Sequence, residues 1–296
     1  MKGVVVKKNA DLFDVRFGQM CFSCTARGGL KKEGIFVGDK VEFDKQKSII
    51  ECVLTRKNLL IRPPIANLDQ MIIVVAKKPA VDLYLVDKLI LFCFVYGIKP
   101  ILCVNKIDDE TTFYEDMQKI YGGIVKVIKT SALKGDVSSL EASIVGVCAF
   151  AGQSAVGKSS LINAIFKEER ERVGDFAKKI ERGKQTTRTV TLYKTPKGYI
   201  ADTAGFSKLD ETLIDLKPNE ISRYYPDFLP YLEKCKFRSC LHKNSNDCEI
   251  IKRVKSGEIS KSRYDNYLKF LDFKQKQKTW GEKWKKTCIL RFLPIQ

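Results

Sequence analysis

The spacing of apolar positions changes character twice along the chain. Over residues 1–66 they fall in short β-prone runs, "GVVVKK", "LFDVRF", "QMCFSCTAR", "DKVEF" and "SIIECVL", separated by Asn-Ala-Asp, Gly, Gly-Gly and Val-Gly-Asp. Five such runs with turn residues between them predict a small all-β unit, an OB-type barrel, although an SH3-like barrel has the same strand count. "RKNLLIRPP" comes next as a basic, proline-stopped linker. From residue 67 the runs become continuous: "QMIIVVA", "KPILCVN", "IVKVIKT" and "VGVCAFAG", with helix-length segments at 81–97 and 109–121. Apolar strands alternating with helices predict a parallel, doubly wound sheet. Beyond residue 217 the pattern is mostly helical, basic and cysteine-containing. The expected domains are therefore 1–66, 67–217 and 218–296.

Composition narrows the class. No apolar run approaches the roughly 18 residues a membrane-spanning helix needs, and "LILFCFVYGI" lies between Lys88 and Lys99 as a buried helix would. The amino terminus becomes charged too early for a secretory leader, so a soluble cytoplasmic protein is expected. Ten cysteines in 296 residues suit a reducing compartment. Cys93, Cys103 and Cys148 sit in apolar segments as small hydrophobes, and the isolated Cys21-x-x-Cys24 reads as structural. The formal charge of +18 is concentrated at the two ends and favours a polyanionic partner, nucleic acid or an anionic membrane. A lysine-rich surface that serves only solubility would look the same.

Chemistry enters with "GQSAVGKSS", Gly152, Gln153, Ser154, Ala155, Val156, Gly157, Lys158, Ser159 and Ser160, placed between an apolar strand and a helix. That context identifies a phosphate-binding loop: glycines let backbone amides face the phosphates, beside the positive end of a helix. Lys158 is expected on the β- and γ-phosphates and Ser159 on Mg²⁺. Asn105-Lys106-Ile107-Asp108 ends the strand before it. A carboxylate can accept from guanine N1–H and N2–H₂ together, a donor pair that adenine lacks. Ser131 and Ala132 of "TSAL" could support the base at O6. Asp202 of "DTAGF" is a Mg²⁺ candidate and Gly205 a γ-phosphate contact. "GKQTTRT" offers Gln185 and Thr187, Thr187 as a further Mg²⁺ ligand, although the segment also reads as a solvated basic loop. The base reader thus precedes the phosphate loop, a circular permutation of the usual GTPase order. A parallel sheet permits this because strand ends in space define the site.

Cys235-x4-Cys240-x-His242-x5-Cys248 contains the chain's only histidine. Three thiolates and one imidazole complete a closed tetrahedral Zn²⁺ shell, hence a structural site. The aromatics of the helices after it are expected to pack inward, with the lysines toward an RNA backbone.

Taken together, "NKID", "GQSAVGKSSLIN", "GKQTTRT", "DTAGF", "YYPDF" and the four metal ligands resemble the bacterial ribosome small subunit-dependent GTPase family, also called RsgA or YjeQ. The resemblance spans essentially the whole chain. It implies an OB-type barrel, a circularly permuted α/β P-loop GTPase domain, a helical zinc-binding domain, GTP/GDP and Mg²⁺, and a role in late maturation of the small ribosomal subunit through its rRNA. Gln185 stands where the family usually has histidine, and Ala204 where it usually has proline. The residue after Asp-x-x-Gly is Phe206, which cannot orient a water, so slow intrinsic hydrolysis accelerated by the subunit is expected. A monomer is expected, with no membrane partner. Two other readings stay open: a P-loop ATPase or kinase, and a nucleic-acid scaffold with a merely structural nucleotide site.

Overall fold

The computed structural model describes residues 1–30, 34–108, 112–173, 190–202, 206, 209–244 and 247–280. The chain divides into two compact units, Met1–Leu209 and Asp210–Gln296.

The first unit is organised by one eleven-stranded sheet that is a barrel at one end and doubly wound at the other. Strands β1 (Lys2–Asn9), β2 (Leu12–Phe17), β3 (Met20–Ala26), β4 (Lys40–Asp44) and β5 (Ile49–Val53) run in the order 1-2-3-5-4, and β4 returns to β1. Closure requires β1 to serve two neighbours. It pairs with β4 at Lys2–Val4 and with β2 along its length, and a register shift between Val5 and Lys7 supplies the bend. Inward positions alternate as expected: Val5, Phe13, Val15, Cys24, Val41, Phe43 and Ile50 fill the interior. This is the expected OB-type barrel, with β3 and β5 parallel.

The segment read as a linker is structured. β6 (Leu59–Ile61) and β7 (Pro64–Ala66) pair as a hairpin turning at Arg62–Pro63, because proline suits a turn and an edge strand that need no amide donor. Asn58 and Asn67 then fasten this hairpin to its surroundings. Asn58 donates to Leu68 O (2.9 Å) and accepts from Leu68 N (2.9 Å), while Asn67 donates to Gly38 O in the barrel (3.0 Å).

β8 (Gln70–Val75), β9 (Lys99–Val104), β10 (Lys126–Lys129), β11 (Gly146–Ala151) and β13 (Gly198–Asp202) are parallel, in the order 10-9-8-11-13. β12 (Thr191–Thr195) is antiparallel to β13 and touches β1 through Lys7 and Thr191, which joins the two halves of the sheet. All six residues of β8 are buried, which explains a run without alternation. Helix α1 (Leu83–Val95), capped by Asp82, covers one face, with Cys93 against Met71. Helices α2 (Thr112–Tyr121), α3 (Ser138–Ser143) and α4 (Lys158–Val173) complete the layers; Leu140, Leu161 and Ile165 join Ile72, Val74, Cys148 and Phe150 in the other face's core. Each fully buried aliphatic contributes about 1.5–3 kcal/mol. The strand order reverses between β8 and β11, so the carboxyl ends there frame a crevice.

The second unit begins with three short 3₁₀ turns, Glu211–Leu213, Ile221–Tyr224 and Leu229–Lys234, before α5 (Glu249–Lys255) and α6 (Lys261–Trp280). Of the aromatics expected to pack inward, Tyr264, Tyr267 and Phe270 are buried, beside Tyr225 and Phe228, and Phe273 is half-buried; Trp284 lies outside the described residues. "YYPDF" has a structural role: Asp227 holds the buried Arg263 by two bonds (2.9 and 2.8 Å), and the guanidinium lies over Tyr225. Among the described residues no helix is long and apolar enough to cross a membrane.

Candidate nucleotide and metal sites

Four strand ends converge at the crevice. β11 runs into the phosphate loop at Gly152, whose φ is +122° and where a Cβ would lie 2.2 Å from Val74 O. Gly157 (φ +98°) would place a Cβ 2.3 Å from Asn105 Nδ2. Both positions therefore require glycine, on conformation and on close approach. Lys158 opens α4 and donates to Gly152 O at 2.7 Å and to Gln153 O, so its ammonium is held over the loop. Partial burial lowers its pKa, and a phosphate would supply the missing counter-charge. Ser159 and Ser160 lie exposed in the first helical turn; Ser154 and Ala155 are exposed in the loop, and Val156 is buried beneath it.

The strip Asn105–Asp108, expected to read the base, sits against this loop. Asn105 is buried and holds three segments at once: it donates to Val156 O (2.9 Å) and accepts from Thr130 Oγ1 (3.2 Å) and Ala132 N (3.2 Å). Lys106, at φ +61°, spans the loop by donating to Ala155 O (2.9 Å) and Lys78 O (3.0 Å). Asp108 accepts a short hydrogen bond from the Ser131 hydroxyl. That bond, aided by Lys134 and Lys106, lowers the carboxyl's pKa and keeps it an acceptor-only carboxylate. Asn105, Lys106, Asp108, Ser131, Ala132 and the Gly152–Ser160 loop are thus brought together despite the reversed chain order.

Two contacts here were not predicted. Gln153 accepts from Asp82 N (2.9 Å) and donates to Ala80 O (3.2 Å), tying the loop to the segment that caps α1. Phe206 is buried edge-on against Phe92, and its carbonyl accepts the Gly152 N–H at 3.1 Å. A phenylalanine after Asp-x-x-Gly signals an anchor more than a missing catalyst. Asp202 ends β13 at the same sheet edge. Gln185, Thr187 and Gly205 lie outside the described residues.

In the second unit Cys235, Cys240, His242 and Cys248 bring their ligand atoms within 4.8 Å of one another, a cluster that could hold a metal ion. Sγ of Cys235 lies 3.6 Å from His242 Nδ1 and 4.0 Å from Cys248 Sγ, and Nδ1 lies 3.4 Å from Cys248 Sγ. Tetrahedral Zn²⁺ with ordinary bond lengths gives edges of about 3.8 Å for S···S and about 3.6 Å for S···N, so the donor set fits. His242 reaches the cluster from a left-handed backbone (φ +53°); Tyr264 and Tyr267 donate to His242 O (2.7 Å) and Leu241 O (2.9 Å). Burial lowers the imidazole pKa to about 4, which leaves it neutral as a ligand must be. Burial also raises the Cys248 thiol to about 12, a cost that a cation would reverse.

Comparison with known proteins bears on the same features. The RsgA GTPase family matches residues 53–212. A small ribosomal subunit biogenesis GTPase RsgA of Caldanaerobacter subterraneus subsp. tengcongensis is 38% identical over 291 residues, covering 94% of this chain and 97% of the relative. That of Thermotoga maritima is 35% identical over 284 residues, covering 90% and 95%. Among solved structures, YjeQ from Thermotoga maritima superposes with a TM-score of 0.78 at 33% identity, covering 93% of this chain and 98% of the other. YloQ, described as a circularly permuted GTPase, gives 0.77 at 29%, covering 93% and 95%.

Proposed function

The chain belongs to the RsgA GTPase family, and from that membership we propose that it hydrolyses GTP as a checkpoint in late maturation of the small ribosomal subunit, bound to the subunit's rRNA and stimulated by it. The family implies GTP/GDP and Mg²⁺. One observation carries the reading: the Asn105 amide joins the phosphate loop, the base-reading strip and the "TSAL" loop, so one guanine nucleotide can be gripped at both ends.

In this reading Asp108 accepts from guanine N1–H and N2–H₂, while Ser131 and Ala132 back the base. Loop amides from Gly152 to Ser160 take the phosphates, and Lys158 stabilises charge developing between β- and γ-phosphoryl oxygens. Ser159, Asp202 and Thr187 would hold Mg²⁺, whose chemistry is to neutralise charge on the phosphate oxygens. Gly205 would meet the γ-phosphate. With Phe206 committed to the core, Gln185 and Thr187 are left to position the attacking water. Cys235, Cys240, His242 and Cys248 would hold one structural Zn²⁺. The basic ends would meet rRNA phosphates, and the protein would act as a cytoplasmic monomer.

GTP turnover measured with and without purified small subunits tests the proposal. Slow turnover that rises by orders of magnitude with subunits supports it. Fast turnover indifferent to subunits refutes it, as does ready displacement of GDP by ATP.

A further inference from the structure

The second unit buries most of its core aromatic side chains, with one contrast. Tyr225, Phe228, Tyr267 and Phe270 are at most 3% exposed, yet Phe237 is 54% exposed and is the most exposed phenylalanine among the described residues. It stands midway between two ligands of the metal cluster, in "KCKFRSC". A single exposed apolar side chain is ordinary on a protein surface. Three observations together set this one apart.

The loop is held at both sides of Phe237. Cys235 and Cys240 belong to the metal cluster, and the Cys240 amide donates to Phe237 O at 3.2 Å. A backbone held this way loses little conformational freedom when a partner covers the ring. The flanks are cationic as well: Lys234, Lys236 and Arg238 are exposed, and residues 234–243 contain no acidic side chain. Lys236 lies 5.8 Å from the ring centroid while also reaching Asp247 at 3.1 Å, and Lys234 lies over Tyr231. The ring's neighbour is therefore already one cation, which disfavours a basic peptide as occupant and favours an anionic one.

We infer that Phe237 is a stacking platform for an unpaired RNA base, with Lys236 and Arg238 on the flanking phosphates. This rests on the proposed rRNA partner and specifies what that partner presents: a single-stranded loop, bulge or end, since a base inside a duplex has no face to offer. Stacking on an aromatic side chain tolerates any base, so the contact would recognise unpairedness and not sequence. An assembly factor that touches an unpaired base senses whether that base has yet been folded away.

The test uses the full chain, with metal content and near-ultraviolet circular dichroism checked for each variant. F237A, F237W and F237L are titrated against purified small subunits and against a single-stranded RNA 12-mer carrying 2-aminopurine, at two salt concentrations. F237A is expected to weaken binding roughly five- to a hundred-fold and to leave the salt slope unchanged. F237W should restore both affinity and quenching of 2-aminopurine, while R238A should reduce the salt slope by about one. Affinity unchanged in F237A overturns the inference. So does full restoration by F237L, which keeps apolar area without a π-face and would point to a protein surface instead. Wild-type protein that fails to bind small subunits would instead sink the proposed function.

Discussion

The candidate nucleotide site and the candidate metal site are built by opposite strategies. The metal cluster draws four ligands from fourteen consecutive residues, 235–248, almost without regular secondary structure. The nucleotide site draws on Asn105, Ser131, Gly152 and Asp202, spread over nearly a hundred residues, and each stands at the carboxyl end of a different parallel strand. A local cluster pays little loop-closure entropy but gains almost nothing without its ion. A dispersed site must first form the sheet, after which its geometry comes with the fold. The first should therefore depend on metal and the second on packing.

The largest expected effect separates them directly. Chelation, or Cys248→Ala, should unfold the second unit, because structural zinc sites of this type can carry about 10–16 kcal/mol of apparent binding energy. Proteolysis should then attack residues beyond 210 while GDP affinity, measured by calorimetry, stays near wild type. Loss of both together would break the contrast.

Asn105→Ala should do the reverse. It takes the Asn105 partner from the Val156 carbonyl and the Ala132 amide, at about 1–3 kcal/mol for each group that stays buried and unpaired, while the Thr130 hydroxyl keeps Cys103 and Val104. Denaturant unfolding should show the first unit destabilised by about 2–5 kcal/mol, with weaker nucleotide binding and metal content unchanged.

Asp108→Ala should lower guanine nucleotide affinity by roughly 10- to 150-fold, the loss of a charge-assisted hydrogen-bond pair, with stability barely altered. Asp108→Asn should shift preference toward xanthine nucleotides, whose O2 accepts where guanine's amine donates. Equal affinity for GTP in the alanine variant would disprove the base-reading role.

The gentlest test is mild acid. Burial pushes the His242 pKa down to about 4 from an ordinary 6.5, and a bound metal ion would likewise keep the imidazole unprotonated. The unfolded chain therefore binds a proton below pH 6.5 that the folded unit refuses, and stability of the second unit falls as pH drops from about 6.5 to about 4. The Asp108 pKa is lowered too, chiefly by the Ser131 hydroxyl, but from an ordinary 3.8 that already lies below this window, so its charge is lost only in stronger acid. Thermal melts and GDP binding tracked from pH 7 to 4.5 should diverge accordingly.

Much of this was legible in the sequence because it is local. The phosphate loop needs glycine at Gly152 and Gly157 and a lysine next to the second, and Cys235, Cys240, His242 and Cys248 keep ligand spacing; such strings survive in one dimension. The barrel and the parallel strands were legible because period-2 and unbroken apolar runs reflect burial on one face or two. Less legible was the hairpin at 59–66, which the two prolines disguised as a linker. Phe206 was visible only as an unsuitable catalyst, and its role as a core anchor on Phe92 appears once α1 is in place.

What the sequence determined by itself is the chemistry: a carboxylate able to read guanine, a loop able to cradle phosphate, and a thiolate–imidazole set able to close around a metal. Tertiary structure decided that the residues carrying the first two stand side by side. It did so through the order of strands in the sheet, which sets Asn105 against Val156 across 51 positions of chain. Side-chain chemistry is a property of each residue, whereas adjacency across a sheet depends on which strands pair, and no single segment carries that information.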